Sequence, residues 1–398
     1  MVDVVASLPA SASEPAGADA GRAYSTSVIS ARAAAACAAF PATAFSPTQS
    51  PAWIAAWSEQ VGSDLIVASL SAGGRPLLMI ALEVVRTGPF RVARFPGGRH
   101  ANGNFPLLCD SATVTPASLR SMCEAIARAR PDIDLLALER LTDSIEGVTN
   151  PLLSLPHAPS PNLALAVDLE GGFEALLSRS SGKRKRKKHR SQSRKFEAAG
   201  GFRLITAATP DECERLLSEF FDMKRDRFAK MGVADAFAEP SVKAFFRRLF
   251  VGALGQDRPD FVLDALEVGG KLRAVTGSSR RGNRLICEFG AFREDDLAQA
   301  SPGDFLFFEN IQRACRDGYA VYDFSVGDEP YKRLWCDIES PQLDVFMPLT
   351  MKGRLATLAL RTISRAKAWV KNNRTLWALV KTLRRRGAIE PQAAPAED

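Results

Sequence analysis

The order of elements between residues 262 and 335 constrains the fold more than any other part of the sequence. Three apolar strands are followed by a helix and then by a further strand at Tyr319–Phe324. Ser301-Pro302 predicts the start of that helix, and Asp317-Gly318 predicts its end. Strands that alternate with a helix in this way predict an α/β protein with mixed sheets and flanking helices.

A hairpin in this region has a counterpart 196 residues earlier. Ile66 to Arg75 contains Leu-x-x-Gly-Gly followed by a basic residue, and Val262 to Lys271 repeats the pattern. Each copy follows an apolar helical stretch. Two unrelated hairpins could share so short a motif, but a repeat at a fixed offset is also what two tandem α/β halves would show.

Polar side chains cluster at and beyond the end of the last strand, where α/β proteins place their chemistry. The candidates are Asp323, Asp328, Glu329, Tyr331 and Lys332. Tyr331 is the candidate general acid, because a phenol with a pKa near 10 can protonate a leaving group to which it is hydrogen-bonded. Asp323, Asp328 and Glu329 are candidate bases or ammonium ligands. Lys332 is a candidate ligand for an anionic substrate, and Lys332 or Arg333 is the expected partner of Asp323.

The predicted helix start at Ser301 is a candidate site for a phosphate. With Ser301 as the N-cap, the N–H groups of Gly303, Asp304 and Phe305 would lie at the positive end of the helix dipole. Such an end stabilises an anion by roughly 0.3–1 kcal/mol. Plain helix capping is the alternative, since the Asp304 carboxylate suits an empty helix start but repels a pyrophosphate.

A Gly/Asn-rich loop at 95–106 holds His100, Asn102 and Asn104. Its composition is typical of turns, yet its amides could also bind a polyhydroxylated ligand. His100 is an alternative general base. The chain has three His and seven scattered Cys without a C-x-x-C pair, so we expect reduced thiols and no metal site.

The net charge of +7 hides a strong asymmetry. Lys183 to Lys195 contains nine Lys or Arg, Met351 to Arg386 contains eleven, and neither contains an acid. Without these twenty cations the net charge is −13. We predict a basic helix at 183–199, which is either solvated or binds an anionic ligand, tRNA included. We predict a basic amphipathic helix at 351–387 that packs on the acidic body or on an anionic membrane.

The remaining segments carry few signals. Residues 1–40 are rich in Ala, Ser, Pro and Gly, and predict a disordered tail. No signal peptide or membrane-spanning run is present, so we expect a cytoplasmic protein with possible contact to the inner face of a membrane.

Two motifs together resemble a known family. Ser301-Pro-Gly303 at a helix start, followed by Gly327-Asp-x-x-Tyr-Lys332 after the next strand, resembles GNAT-type acyltransferases of the CelD/BioF-like branch, which is related to the FemABX peptidyl transferases. The resemblance implies two tandem GNAT-like domains, at 41–160 and 161–350, divided near the Pro-rich stretch 151–161. It also implies that cations near Phe221–Phe228 face the acceptor, which makes Arg225 a candidate substrate ligand.

The resemblance implies an acyltransferase that uses acetyl-CoA or another acyl-CoA. The implied acceptor is an amine or hydroxyl of a sugar, a polysaccharide or another envelope precursor. Two alternatives stay open. One is a FemABX-like transfer of an aminoacyl group from tRNA, with Lys183 to Lys195 on the RNA, and the other is a non-catalytic binding protein with the same fold.

Overall fold

The computed structural model describes residues 24–30, 32–62, 64–179, 181–358 and 362. The strands are β1 (Tyr24–Ile29), β2 (Asp64–Ala72), β3 (Arg75–Thr87), β4 (Phe90–Arg94), β5 (Leu107–Leu108), β6 (Leu135–Leu141), β7 (Ser144–Ile145), β8 (Val148–Thr149), β9 (His157–Asp168), β10 (Phe202–Thr206), β11 (Phe261–Val268), β12 (Lys271–Arg281), β13 (Arg284–Phe292), β14 (Val321–Val326) and β15 (Ile338–Pro348). The helices are α1 (Ala33–Ala39), α2 (Pro51–Val61), α3 (Pro116–Ala129), α4 (Gly172–Arg179), α5 (Gly182–Ala198), α6 (Pro210–Met231), α7 (Pro240–Ala253), α8 (Pro302–Arg316) and α9 (Pro330–Arg333).

One continuous 13-stranded sheet runs through the molecule. Its order is β1-β2-β3-β4-β6-β15-β9-β14-β13-β12-β11-β10, with β5 paired to β3. The first half comprises β1 to β6 with α1 to α3, and the second half comprises β10 to β14 with α4 to α8. Strands β9 and β15 lie between them.

The two halves repeat the same pairing pattern. Three antiparallel strands, β2-β3-β4 or β11-β12-β13, are followed by a helix and a strand parallel to the third. The register of the first hairpin shifts between Leu70 and Ser71, and that of the second shifts between Leu266 and Glu267, again 196 residues apart. A shared bulge at the predicted offset confirms that the hairpins are structural equivalents.

The halves exchange strands across their junction. Strand β9 pairs with β14 of the second half, whereas β15, which comes last in the chain, pairs with β6 of the first half. β9 and β15 also pair with each other from Ile338–Ala166 to Val345–His157. The backbone hydrogen bonds of this pair join the two halves into one sheet.

Aromatic packing between α2 and α7 forms a second junction. The ring centroids of Trp53 and Trp57 lie 4.8 and 4.9 Å from that of Phe245. Ser50 begins α2 as predicted, since its hydroxyl accepts from the Trp53 N–H at 3.2 Å. The two indoles therefore anchor the first half on a helix of the second, where α6 and α7 cover one face of the sheet and α4, α5 and α8 the other.

The prediction of a disordered tail at 1–40 is wrong for its last part. β1 pairs with β2 from Tyr24–Ala72 to Ile29–Val67, and α1 buries Ala33 and Cys37. Pairing to β2 and packing of Tyr24 and Val28 on the core of the first half order this short strand. Residues 1–23 and 31 lie outside the described residues.

The two basic segments differ in how far the structure describes them. α5 spans Gly182–Ala198, close to the predicted helix. At the C-terminus residues 351–358 are helical, with Leu355 and Leu358 exposed. The rest of the predicted helix at 351–387, apart from residue 362, lies outside the described residues.

The hairpin glycines generate a stability prediction. Gly269 has a φ of 57°, and a Cβ there would lie 2.5 Å from the Ala199 carbonyl oxygen. Gly73 has a φ of 54°, and a Cβ there would have no described atom within 4 Å. Both Ala variants incur the left-handed backbone penalty of roughly 1–2 kcal/mol. We expect Gly269→Ala to lose a further ~1–3 kcal/mol through the clash. Urea unfolding of both variants measures the difference, and equal losses would contradict the close approach.

Candidate active site

Strands β13 and β14 separate partway along their length and leave a gap in the sheet. They pair in parallel only from Arg284–Val321 to Ile286–Asp323. Beyond that point β13 continues to Phe292 against β12, and β14 continues to Val326 against β9. Side chains after Ile286 on one strand and after Asp323 on the other therefore face an opening.

A bulge in β13 places Glu288 at this opening. Cys287 is paired with Ser278 and Phe289 with Gly277, so Glu288 is the extra residue between them. The bulge also puts Cys287 and Phe289 on opposite faces of the sheet, although residues two apart in a regular strand share a face. Cys287 packs with α8, whereas Phe289 packs with α6 and α7. Gly277 is required here, because a Cβ on it would lie 2.1 Å from the Phe289 ring.

Strand β14 is irregular at the same level. Its register with β9 shifts between Asp323 and Val326, and Ser325 between them has a φ of 61°. The Asp323 carboxylate accepts from the Ser325 N–H at 2.7 Å and holds this turn. A non-glycine residue at positive φ is strained, and such strain is concentrated at functional sites.

Two cavities meet at the gap and share Asn102, Glu288 and Ser325 in their linings. The polar cavity, of about 380 Å³, is lined mainly by hydroxyl, amide and charged side chains, among them Ser46, Thr142, Asn283, Ser340 and Gln342. The aromatic cavity, of about 230 Å³, is lined by Phe237, Phe246, Phe289, Phe307, Phe324 and Tyr331. Glu288 lies where a group in one cavity can reach a group in the other.

The environment of Glu288 raises the pKa of its carboxyl group into the neutral range. Its carboxylate accepts from the Ser279 hydroxyl at 2.6 Å and from the Asn102 amide at 3.2 Å. Burial raises the pKa of Glu288 to about 7, against the lowering effect of these two hydrogen bonds. Asn102 also donates to the Glu288 carbonyl at 2.9 Å, so a loop of the first half fixes a residue of the second.

Three predicted site residues from α9 and its approach line the aromatic cavity. They are Glu329, Tyr331 and Lys332. The Tyr331 ring stacks on Phe307 at 5.4 Å, and burial of the phenol raises its pKa above the ordinary value although 39% of the residue is exposed. Lys332 is buried, pairs with Glu329 at 2.9 Å, and donates to the Val326 carbonyl at 2.8 Å.

His100 also lines the aromatic cavity, but it is a poor base. Its ring lies 5.0 Å from Phe237 and 5.5 Å from Phe246. Burial, assisted by Arg99 and Arg140, lowers the pKa of His100 to about 4. A neutral imidazole of such low basicity is a packing and hydrogen-bonding group at neutral pH, which removes the reason for preferring it as a general base.

Three predicted site residues lie away from the aromatic cavity in other roles. Asp323 lines the polar cavity and pairs with Arg284 at 2.7 Å, so the expected pairing with Lys332 or Arg333 is wrong. Arg333 pairs instead with Asp328 at 2.5 Å on the surface. Asn104 is buried in a network with Gln49 and the Glu139 carbonyl, which makes it structural.

Arg225 is exposed and pairs with Asp222 and Asp226 along its own helix. The cation of α6 that lines the aromatic cavity is its neighbour Lys224. Consecutive helical residues point about 100° apart, so an error of one position moves a side chain from the cavity to solvent.

The start of α8 differs from the predicted phosphate cradle. Ser301 is the N-cap residue and Pro302 follows it, as predicted, but Ser301 has a φ of 56° and its side chain makes no capping hydrogen bond. Gln192 of α5 covers this end by donating to the carbonyls of Ala300 and Ser301, and Lys188 pairs with Asp304 at 3.0 Å. Phe305 is fully buried in the core, and a Cβ on Gly303 would touch the Phe292 ring at 3.3 Å.

Sequence reasoning missed Glu288, Lys224 and Ser325. Glu288 sits in an apolar strand, Arg284–Phe292, where a single acid between Cys287 and Phe289 was the available signal. A carboxylate in an otherwise buried strand needs partners, and its position could have been questioned on that ground. Ser325 gave no such signal, because its backbone conformation is invisible in the residue type.

Comparison with known proteins places this geometry in context. Residues 183–333 match the model of the acetyltransferase (GNAT) domain. No curated protein matches the sequence. The solved structure of FemX is similar over 83% of this chain and 98% of its own, with 11% identity and a TM-score of 0.55. A protein of unknown function from Bacteroides thetaiotaomicron is similar over 81% and 98%, with 12% identity and a TM-score of 0.52.

The chain thus carries a GNAT-type acetyltransferase domain, and the prediction of an acyltransferase is confirmed at this level. The matched residues 183–333 include β10 to β14, whose arrangement recurs in the first half, so the mixed α/β fold with two GNAT-like halves is confirmed as well. The two solved structures support the fold alone.

Within the described residues, no helix is long and apolar enough to cross a bilayer. In the same part of the chain, His, Cys, Asp and Glu form no group of three or more that could hold a metal ion.

The environment of Glu288 predicts a pH-dependent stability. Its folded-state pKa of about 7 lies above the ordinary 4.5, so the folded protein binds an extra proton between these values and loses stability as pH rises through 7. Glu288→Gln copies the protonated form. We expect it to be nearly neutral at pH 4.5 and to stabilise by about 1–3 kcal/mol at pH 8. Urea unfolding at both pH values measures this, with the ion-paired Asp323→Asn as control, and a pH-independent effect would contradict the raised pKa.

Proposed function

We propose that this chain transfers an acyl group from a thioester donor, acyl-coenzyme A, to an amine positioned at Glu288. One observation carries the proposal. A carboxylate with a pKa of about 7 lies at the gap between β13 and β14, on the boundary of two cavities. The acyl carbon of the donor and the amine of the acceptor can meet at this boundary, with Glu288 beside them.

A base with this pKa suits the reaction at neutral pH. An acceptor amine is mostly protonated, and Glu288 first accepts one of its protons, directly or through a water, which frees the nitrogen lone pair to bond to the acyl carbon. As the amide forms, the nitrogen loses a second proton, which restores the one that the leaving group's proton donor gives up. The carbon–sulfur bond breaks, and the departing thiolate takes a proton. Tyr331 is the proposed donor of that proton, because its phenol lines the aromatic cavity with Glu288 and carries a proton at neutral pH.

Two hydrogen bonds keep Glu288 in position for this step. Ser279 donates from β12, and Asn102 donates from the loop of the first half. Both lower the pKa of the carboxyl and so limit the effect of burial. We propose Asn102 as a positioning residue through which the first half supports catalysis in the second.

For the donor's phosphates we propose the first turns of α5 instead of a bare helix start at Ser301, Gly303, Asp304 and Phe305. Arg184, Lys185 and Lys188 line a small cavity beside Trp335, and Lys185 lies 4.3 Å from the centre of that ring. Trp335 follows Tyr331 by four residues and lies just beyond α9, which ends at Arg333. A donor with its phosphates at α5 and its acyl group near Tyr331 would thus run past this short helix.

For the acceptor we propose an amine-bearing sugar, polysaccharide unit or other envelope precursor, as in the CelD/BioF-like branch. The polar cavity offers groups that pair with hydroxyls, Asn102 among them. Gln342 is 2% exposed, and among the described residues its Oε1 atom has no hydrogen-bond partner. A ligand hydroxyl would satisfy this acceptor, which costs about 1–3 kcal/mol when unpaired. A cytoplasmic location with peripheral membrane contact stays a proposal.

A second candidate donor is an aminoacyl-tRNA. Lys183, Lys187, Arg190 and Arg194 are exposed and recur at spacings of three and four residues, so they form one stripe along α5. A stripe of this length fits a phosphate backbone better than the three phosphates of coenzyme A.

Kinetics of Glu288 variants test the proposed base. We expect Glu288→Gln to lower kcat/KM by ~10²–10⁴-fold, the usual contribution of one proton-transfer group. Wild-type kcat/KM should rise with pH through about 7 as Glu288 ionises, and this inflection should vanish in the variant. The measurement is acetyl transfer from acetyl-CoA to a panel of amino sugars between pH 5.5 and 8.5.

Tyr331→Phe is the companion variant. It should lower kcat with little change in donor affinity and leave the inflection near pH 7 in place, because Glu288 is intact. Transfer by Glu288→Gln within a few-fold of wild type, with the inflection preserved, would remove Glu288 from the mechanism.

The two ends of α5 distinguish the donors. Arg184 and Arg194 lie ten residues, or about 15 Å, apart along the helix. For coenzyme A we expect Arg184→Gln to raise the KM for acetyl-CoA about tenfold, and the matched Arg194→Gln to have no effect. For a tRNA donor both variants should weaken binding and reduce its salt dependence. Filter binding of charged tRNA and initial rates with acetyl-CoA supply the two measurements.

A further inference from the structure

Lys224 is a cation of the aromatic cavity to which no role has been assigned. It projects from α6 and lines the cavity with Glu288, Tyr331 and Lys332. Its ammonium lies 5.7 and 5.8 Å from the ring centres of Phe220 and Phe228. Among the described residues, no carboxylate oxygen lies within 4 Å of its Nζ atom.

Several cations nearby pair with carboxylates. On the same helix Arg225 pairs with Asp222, and Lys230 pairs with Glu294 at 3.0 Å. In the cavity Lys332 pairs with Glu329. Lys224 differs from these three cations, and among the described residues it shares the lack of a close carboxylate with Arg99 of the cavity and Arg227 of α6.

The charges that line the aromatic cavity leave a positive excess. Arg99, Lys224 and Lys332 supply three positive charges, and Glu329 with ionised Glu288 supplies two negative ones. His100 is neutral, because its pKa lies at about 4. The excess of one charge fits a singly charged anion better than a doubly charged phosphate.

Lys224 is half-buried, and its partial desolvation costs free energy that no close ion pair among the described residues offsets. Desolvation, together with the like charge of Arg227, lowers the pKa of its ammonium to about 8, whereas Glu329 and Asp235 at longer range offset part of this effect. A desolvated charge without a close partner destabilises a fold, and residues that do so are typical of functional sites.

We propose that Lys224 binds a carboxylate of the acceptor, so that the acceptor is an amine that carries a carboxylate on the same molecule. This inference rests on the proposed function, which places the amine at Glu288. Lys224 and Glu288 line one cavity without pairing to each other, and its volume of about 230 Å³ leaves room for a small group between them. Contact with Lys224 would then orient the amine toward the base.

Binding in the absence of any acyl donor tests the proposal. The full chain is titrated with ω-amino acids from glycine to 6-aminohexanoate, with the corresponding alkylamines, and with phosphoethanolamine, and the midpoint of thermal unfolding is followed. We expect at least one ω-amino acid to bind more tightly than its alkylamine by tenfold or more. Lys224→Met should abolish this preference, Lys224→Arg should retain it, and the control Lys230→Met should match wild type.

Three outcomes would overturn the proposal. They are equal binding of every amino acid and its alkylamine, an undiminished preference in Lys224→Met, and tighter binding of phosphoethanolamine than of any carboxylate. Unliganded stability supplies an independent readout, because Lys224→Met should unfold at or above the wild-type temperature, whereas a structural Lys224 would give a lower one. These measurements need no turnover, so their failure is distinct from failure of Glu288→Gln to impair transfer.

Discussion

The antiparallel pairing of β9 with β15 is the contact on which the site depends. β9 holds β14 on its other edge, and β15 holds β6, so this pair alone carries the sheet from one half to the other. Because backbone hydrogen bonds join the halves at this pair, the loop of the first half brings Asn102 within hydrogen-bonding distance of Glu288. Had each half kept its own last strand, no backbone hydrogen bonds would fix that approach.

The two halves share a topology but differ where β13 and β14 separate. In the first half the equivalent strands β4 and β6 pair from Val92–Leu135 to Arg94–Ala137, and the chain then returns beside β6 through an Asn104–Leu141 bridge. Arg140 donates to the carbonyls of Arg99 and Ala101 and holds this loop in place. The loop therefore fills the gap that stays open in the second half. One half supplies the cleft, and the other supplies part of its wall.

Local signals in the sequence predicted much of the fold, whereas the site depends on long-range contacts. The Gly-Gly turns specified both hairpins, since positive φ favours glycine. The strand exchange joins residues about 180 positions apart, and no local pattern encodes it. Four predicted site residues do line the cavities, because they follow a strand or lie in a turn-rich loop. They are Tyr331, Lys332, Asn102 and His100. Ser301 stands at the predicted helix start, but its left-handed backbone and the covering of its carbonyl by Gln192 of α5 are features that composition does not report.

Two charged groups of the aromatic cavity, Glu288 and Lys224, have shifted pKa values but different proposed functions. Burial raises the pKa of Glu288 and lowers the pKa of Lys224, so both values lie closer to neutral pH. The two side chains nevertheless do not pair with each other. If they did, each would hold the other ionised, and Glu288 would lose the near-neutral pKa that a base requires. Because they line one cavity without pairing, both groups stay responsive to a ligand. A substrate that brings its own ammonium and carboxylate would complete both interactions and offset the desolvation of the two side chains.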